Sequence, residues 1–99
     1  MTSRSVTIVN ELGMHARAAA KFVHLAARFE SRIRVAARGR DMDGKSIMGL
    51  LLLAAARGTA VAISAEGPDE AEAVDALALL VSSGFGEDDS ASAGGAGTR

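Results

Sequence analysis

Cysteine is absent from the 99 residues. That excludes disulfides and thiolate metal sites, and it fits a reducing compartment. Tyrosine and tryptophan are missing too, and three phenylalanines are the whole aromatic complement. A core must therefore come from Ala, Val, Ile, Leu and Met around those three rings. The longest apolar run, residues 47–56 with Gly49 inside it, falls far short of the ~20 residues a membrane-spanning helix needs. No apolar signal core stands at the N-terminus, so a cytoplasmic location without membrane insertion is the expectation.

Charge of either sign is also nearly absent in sum. The net charge is −1, which argues against non-specific nucleic-acid binding. Its distribution is uneven: residues 1–45 hold nine Lys/Arg against four Asp/Glu, and residues 46–99 hold two against eight. An acidic or phosphorylated partner is steered toward the first half. At this length one domain is expected, and roughly 60–65% of the unfolded surface can be buried.

The periodicities alternate in type. Residues 5–10 read as a strand with Val6 and Ile8 on one face. Residues 16–29 read as a helix with Ala19, Phe22, Val23, Ala26 and Ala27 on one side. Residues 32–38 alternate cleanly, with Ile33, Val35 and Ala37 pointing inward. Gly39-Arg40 is a turn into a short strand, 40–43. Residues 46–55 read as a second helix with Ile47, Leu50, Leu51 and Ala54 on one face, Ser46 as its N-cap and Gly58 as its stop. Residues 60–65 form a strand with Val61, Ile63 and Ala65 inward. Pro68 near the first helical position and the acids Asp69 and Glu70 start a third helix with the stripe Ala71, Val74, Leu77, Ala78 and Val81. Gly84 ends it, and Phe85 packs back.

The order is β-α-β-β-α-β-α. It predicts an α+β fold: a two-layer open-faced sandwich, its four-stranded, mainly antiparallel sheet covered on one face by three helices. Residues 1–85 form the domain, and 86–99, acidic and then rich in Ser, Ala and Gly, are expected to be a disordered tail.

Chemistry concentrates at Gly13-Met14-His15-Ala16-Arg17. His15 sits at the start of the first helix. An imidazole supplies a deprotonated ring nitrogen near neutral pH, and the backbone N–H groups of Ala16 and Arg17 are candidate donors to an anion there. The Arg17 guanidinium adds planar donors suited to phosphate oxygens. Taken alone, an ordinary capping histidine fits the same residues. His24 lies nine residues on; at about 100° per residue it faces the other way, so a shared metal site is excluded. No metal and no cofactor are expected. The stripe Arg32, Arg34 and Arg38 reads as a solvated sheet face, and Asp41 and Asp43 as edge charges.

Gly13-Met14-His15-Ala16-Arg17-Ala18-Ala19 and Gly44-Lys45-Ser46-Ile47-Met48-Gly49-Leu50, with the order of elements, resemble the HPr family of histidine phosphocarriers of the bacterial phosphotransferase system. The resemblance covers about Val6 to Phe85. It implies a carrier rather than an enzyme. His15 would take a phosphoryl group on Nδ1 from phosphorylated enzyme I and pass it to a histidine of an enzyme IIA domain, with Arg17 stabilising the phosphate. Ser46 matches the family's regulatory serine, the target of a kinase/phosphorylase. Partners would dock on the second helix and the start of the first, which nominates Ile47, Met48 and Leu51 as contacts and Lys45 as a rim charge. A single protomer is expected. Family members usually carry proline where this chain has Ala18.

Two branches stay open. Residues 44–50 look like the sugar-transport carrier, whereas Gly67-Pro68-Asp69-Glu70 and residues 82–89 look like its nitrogen-related regulatory paralogue. Outside the carrier class stand a phosphohydrolase using His15 as nucleophile, with Glu11 the one nearby acid, and a regulatory domain that binds partners without transfer.

Overall fold

The computed structural model describes residues 1–86. The tail expected over 86–99 lies, beyond Gly86, outside the described residues. The elements are β1 (Thr2–Thr7), α1 (Ala16–Ala26), β2 (Arg32–Ala37), β3 (Arg40–Asp43), α2 (Ile47–Leu53), β4 (Ala60–Glu66) and α3 (Glu70–Ser82), followed by a 3-10 turn, Gly84–Gly86. The strands run in the order β1-β4-β2-β3, and every pairing is antiparallel.

The alternation in β2 and β4 decides which side of the sheet is covered. Ile33, Val35 and Ala37 of β2 and Val61, Ile63 and Ala65 of β4 are buried. Val35 pairs with Ile63, and Ile33 with Ala65, so these side chains make one continuous apolar face. The helices cover it: α3 packs on β1 and β4, α1 on α2 and α3, and α2 on β3 and β2. Phe22 and Phe85 are the largest fully buried side chains. Outward positions carry charge, and Arg34 of β2 pairs with Asp41 of β3 across 3.0 Å.

Several boundaries differ from the sequence reading. β1 begins at Thr2 and closes at Thr7; its polar residues are accepted because it is an edge strand bonded to β4 alone. Ile8 follows it, buried, with its N–H on the Thr59 carbonyl at 2.9 Å. The β2–β3 turn is centred one residue earlier, on Arg38 and Gly39, both at positive φ (53° and 79°), the signature of a two-residue I′ hairpin. α1 ends at Ala26, which leaves Ala27 exposed as its C-cap. α2 stops at Ala54, which takes a left-handed φ of 52°, four residues before Gly58. Its buried residues are Leu50 and Leu53, while Ile47 and Ala54 are exposed. In α3 Ala73 is buried and Ala71 exposed, and Pro68 precedes the N-cap Asp69 instead of opening the helix.

Two cross-links tie the end of the sheet farthest from His15. The Asp69 carboxylate accepts the Ser31 hydroxyl and the N–H groups of Glu30 and Ser31, and the Ser31 hydroxyl above all holds its carboxyl below the usual range. The Glu70 carboxylate accepts the Thr2 hydroxyl at 2.7 Å and the Gly67 N–H at 3.2 Å, and it pairs with the terminal ammonium at 3.1 Å. Led by the Thr2 hydroxyl, these partners pull the Glu70 carboxyl down to about 2.

Candidate phosphoryl-carrier site

The loop that carries His15 is built from backbone bonds and one buried amide. Gly13 N–H bonds the Asn10 carbonyl at 3.1 Å, and Asn10 Nδ2 returns to the Gly13 carbonyl at 2.8 Å. Met14 N–H reaches across to the Ala55 carbonyl at 2.9 Å, just past α2. Gly13 sits at φ +67°, and a Cβ there would lie 2.6 Å from the Ala55 oxygen. Only glycine fits both demands. The buried Met14 side chain anchors the loop on the core.

His15 follows as the N-cap of α1, in extended backbone (φ −83°, ψ 179°). Its carbonyl accepts the Ala19 N–H at 2.8 Å, and its ring Nδ1 accepts the Arg17 N–H at 3.2 Å. A neutral imidazole that accepts at Nδ1 carries its proton at Nε2. The Nδ1 lone pair is thereby turned toward the helix start, where the dipole favours added negative charge. Ala16 and Arg17 are both exposed at this end. Ala18, in the position where proline is usual, is fully buried in the first turn.

The second motif starts α2. Ser46 Oγ accepts the Gly49 N–H at 3.0 Å, a side-chain cap of the expected type. Gly44 allows the backbone to press on β2: a Cβ there would collide with Ile33 Cγ2, and its N–H bonds the Ile33 carbonyl at 2.8 Å. Lys45 is drawn inward rather than left at the rim. Its Nζ donates to the Phe29 carbonyl, 2.7 Å away beyond the end of α1, and its N–H to Asp43 Oδ1 at 2.9 Å. So α1 and α2 run side by side in opposite directions. The His15 loop meets the end of α2, and the Ser46 turn meets the end of α1.

On the outer side of α2, Ile47 is 39% exposed, Met48 66% and Leu52 53%, while Leu51 is half-buried against the core. Leu12, on the His15 loop, is 72% exposed. The sequence reading passed over Leu12 and Asn10. Their one signal was a leucine with no periodic partner and a lone asparagine closing an apolar run. His24 lies exposed in the last turn of α1, and among the described residues no group of three or more His, Cys, Asp or Glu could hold a metal ion. No helix among them is long and apolar enough to cross a membrane.

Comparison with known proteins agrees with this geometry. The family model described as "PTS HPr component phosphorylation site" matches residues 2–83. The phosphocarrier protein HPr of Cupriavidus necator is 49% identical over 87 residues, covering 88% of this chain and 98% of that one. Its counterpart in Neisseria meningitidis is 47% identical over 87 residues, with the same coverage. The crystal structure of HPr-C-His from Thermoanaerobacter tengcongensis matches with a TM-score of 0.85 at 44% identity, covering 89% of this chain and 99% of that one. A glycine-locked loop, a histidine capping a helix and a one-faced antiparallel sheet are here joined to close relatives along nearly their full length, and the chain belongs to the HPr family of phosphocarriers of the phosphotransferase system.

Proposed function

We propose that His15 is the phosphoryl-carrying residue of this chain, charged by phosphorylated enzyme I and discharged to a histidine of an enzyme IIA domain, in the cytoplasm, in sugar uptake or its regulation. The observation that carries the proposal is the Arg17 N–H on Nδ1 of His15. The nitrogen at the helix start is the unprotonated one, and its lone pair exchanges the Arg17 N–H for phosphorus. It attacks phosphorus, a P–N bond forms, and the bond from phosphorus to enzyme I breaks. The phosphoryl oxygens then take the place of the lone pair as acceptors for the helix-start amides of Ala16 and Arg17. The Arg17 guanidinium folds over them. A helix end contributes about 0.3–1 kcal/mol at an exposed site, enough to favour the charged state and little enough to release it. The chain is a carrier, itself the phosphorylated intermediate, with residues 1–85 as its working unit and one protomer as its working form.

Partners dock around this nitrogen, on Ile47, Met48 and the open edge of Leu51, with Leu12 adding an apolar contact beside the histidine. Exposed methionine suits a surface that must fit both a donor and an acceptor. Lys45 serves this surface by holding the start of α2 against α1. Ser46 is the regulatory position: a phosphate there adds about −1.5 to −2 charge beside the docking residues, opposing an acidic partner.

The test is labelling by enzyme I and phosphoenolpyruvate. One acid-labile phosphate per chain is expected, lost in His15→Ala and then transferable to an enzyme IIA domain. An acid-labile phosphate that persists in His15→Ala removes the assignment.

A further inference from the structure

We propose that the acidic run Glu87-Asp88-Asp89 of this chain docks into the basic groove between α1 and α3. The groove has a volume of about 360 Å³ and is lined by Lys21, His24 and Leu25 of α1, by Arg28 in the turn just past its end, and by Leu80 of α3. Lys21, His24 and Leu25 recur at the spacing of one helix face, and Arg28, whose N–H bonds the Leu25 carbonyl at 3.0 Å, follows in the turn beyond. Lys21 and Arg28 offer two cationic heads over an apolar floor, with the His24 ring between them, and none of the lining residues is acidic.

The chain itself leads to this groove. Phe85 is fully buried, and its carbonyl accepts Lys21 Nζ at 2.8 Å. Gly86 lies so close that a Cβ on it would be 3.8 Å from the same Nζ. The described chain therefore ends, at Gly86, beside the first cation of the stripe. From Lys21 to Leu25 the helix advances about 6 Å, and three extended residues span about 10 Å, enough to follow the groove from Lys21 toward the turn that holds Arg28. An ammonium has three donors; Phe85 takes one of those of Lys21, leaving two for carboxylates. A short covalent tether sets the effective concentration of the run near the groove at roughly millimolar, so weak ion pairs suffice to fill it.

Arg17 stands one turn before Lys21 on the same helix side. A docked acidic run lowers the positive potential at the start of α1, where the proposed acidic partners approach. That consequence rests on the phosphocarrier reading; the docking does not.

The absence of cysteine gives a clean experiment on the full chain. A nitroxide attached at Ser90→Cys is expected to broaden the amide signals of His24, Leu25, Arg28 and Leu80 well beyond those of Asp41 and Met42 on the opposite sheet edge. The broadening is expected to disappear in the E87Q/D88N/D89N variant, and at about 0.5 M salt, where screening acts within less than about 8 Å. Equal broadening at both places overturns the proposal. So does broadening centred on residues 47–52, or broadening that survives charge neutralisation. None of these readouts uses enzyme I, so failure of the carrier assignment leaves the result intact.

Discussion

The Gly13 α-carbon is pressed so near the Ala55 carbonyl that a methyl group on it would stand 2.6 Å from the oxygen. The same carbonyl holds the Met14 N–H. The histidine loop is therefore fitted to the end of α2, and α2 cannot shift without moving His15.

Gly13→Ala tests that coupling. It combines a left-handed φ with a backbone clash, and a loss of about 1–3 kcal/mol of stability is expected. Urea denaturation measures the loss. Labelling of the folded variant by enzyme I is expected to slow, because the loop must move to make room. A variant of wild-type stability would show that the loop is loosely held.

Arg17→Ala separates the side chain from the backbone. The amide on Nδ1 remains, and the exposed guanidinium goes. Stability is expected to stay within about 0.5 kcal/mol. Transfer is expected to slow by about tenfold, the equivalent of ~1.4 kcal/mol at the transition state. Rapid-quench transfer rates with both partners decide it, and an unchanged rate would leave the guanidinium without a part in the chemistry.

Ser46 has two separable properties. Ser46→Ala removes the acceptor for the Gly49 N–H and is expected to cost about 0.5–2 kcal/mol. Ser46→Asp keeps a good cap and adds the charge, so stability is retained while labelling by enzyme I slows. Equal labelling rates in the two variants would mean that charge at this position does not govern docking.

Acid sensitivity is assigned to the far end of the sheet. Glu70 titrates at about 2 in the fold against an ordinary 4.5. Between those values the unfolded chain binds the extra proton. The stabilisation is therefore fully present above the ordinary value and is lost as pH falls toward about 2. Asp69, also lowered, acts in the same sense. The urea midpoint is expected to be flat near neutrality and to fall through this window, with a shallower fall in Glu70→Gln. Equal slopes would remove Glu70 as a source.

Much of this was legible in the chain, and the gaps have physical causes. β2 and β4 were readable because each buries one face and wets the other, so Ile33, Val35, Val61 and Ile63 alternate with polar or small residues. The His15 cap was readable because a glycine turn meets an alanine-rich helix there. In α2 the run Ile-Met-Gly-Leu-Leu-Leu-Leu has no polar side to lock the period, so the buried stripe falls on Leu50 and Leu53 instead of including Ile47. Its stop is an alanine in a left-handed conformation, which no composition signal marks. The start of β1 was missed because edge pairing rescues a polar strand. The bonds of Lys45 to Phe29 and of Asp69 to Ser31 join residues far apart in sequence, where local patterns carry no information.

The shortness of α2 has a last consequence. Its seven residues separate the Ser46 turn from the histidine loop by about 10 Å, close to the distance over which physiological salt extinguishes a field. A phosphate at Ser46 is thus a poor influence on the imidazole and a strong one on whatever lies across the helix. Control at that serine, on the function proposed above, would act as a gatekeeper over who may approach and leave the His15 ring unperturbed. The two proposed phosphorylation positions, Ser46 and His15, would then coexist on one small chain, one setting access and the other carrying the cargo.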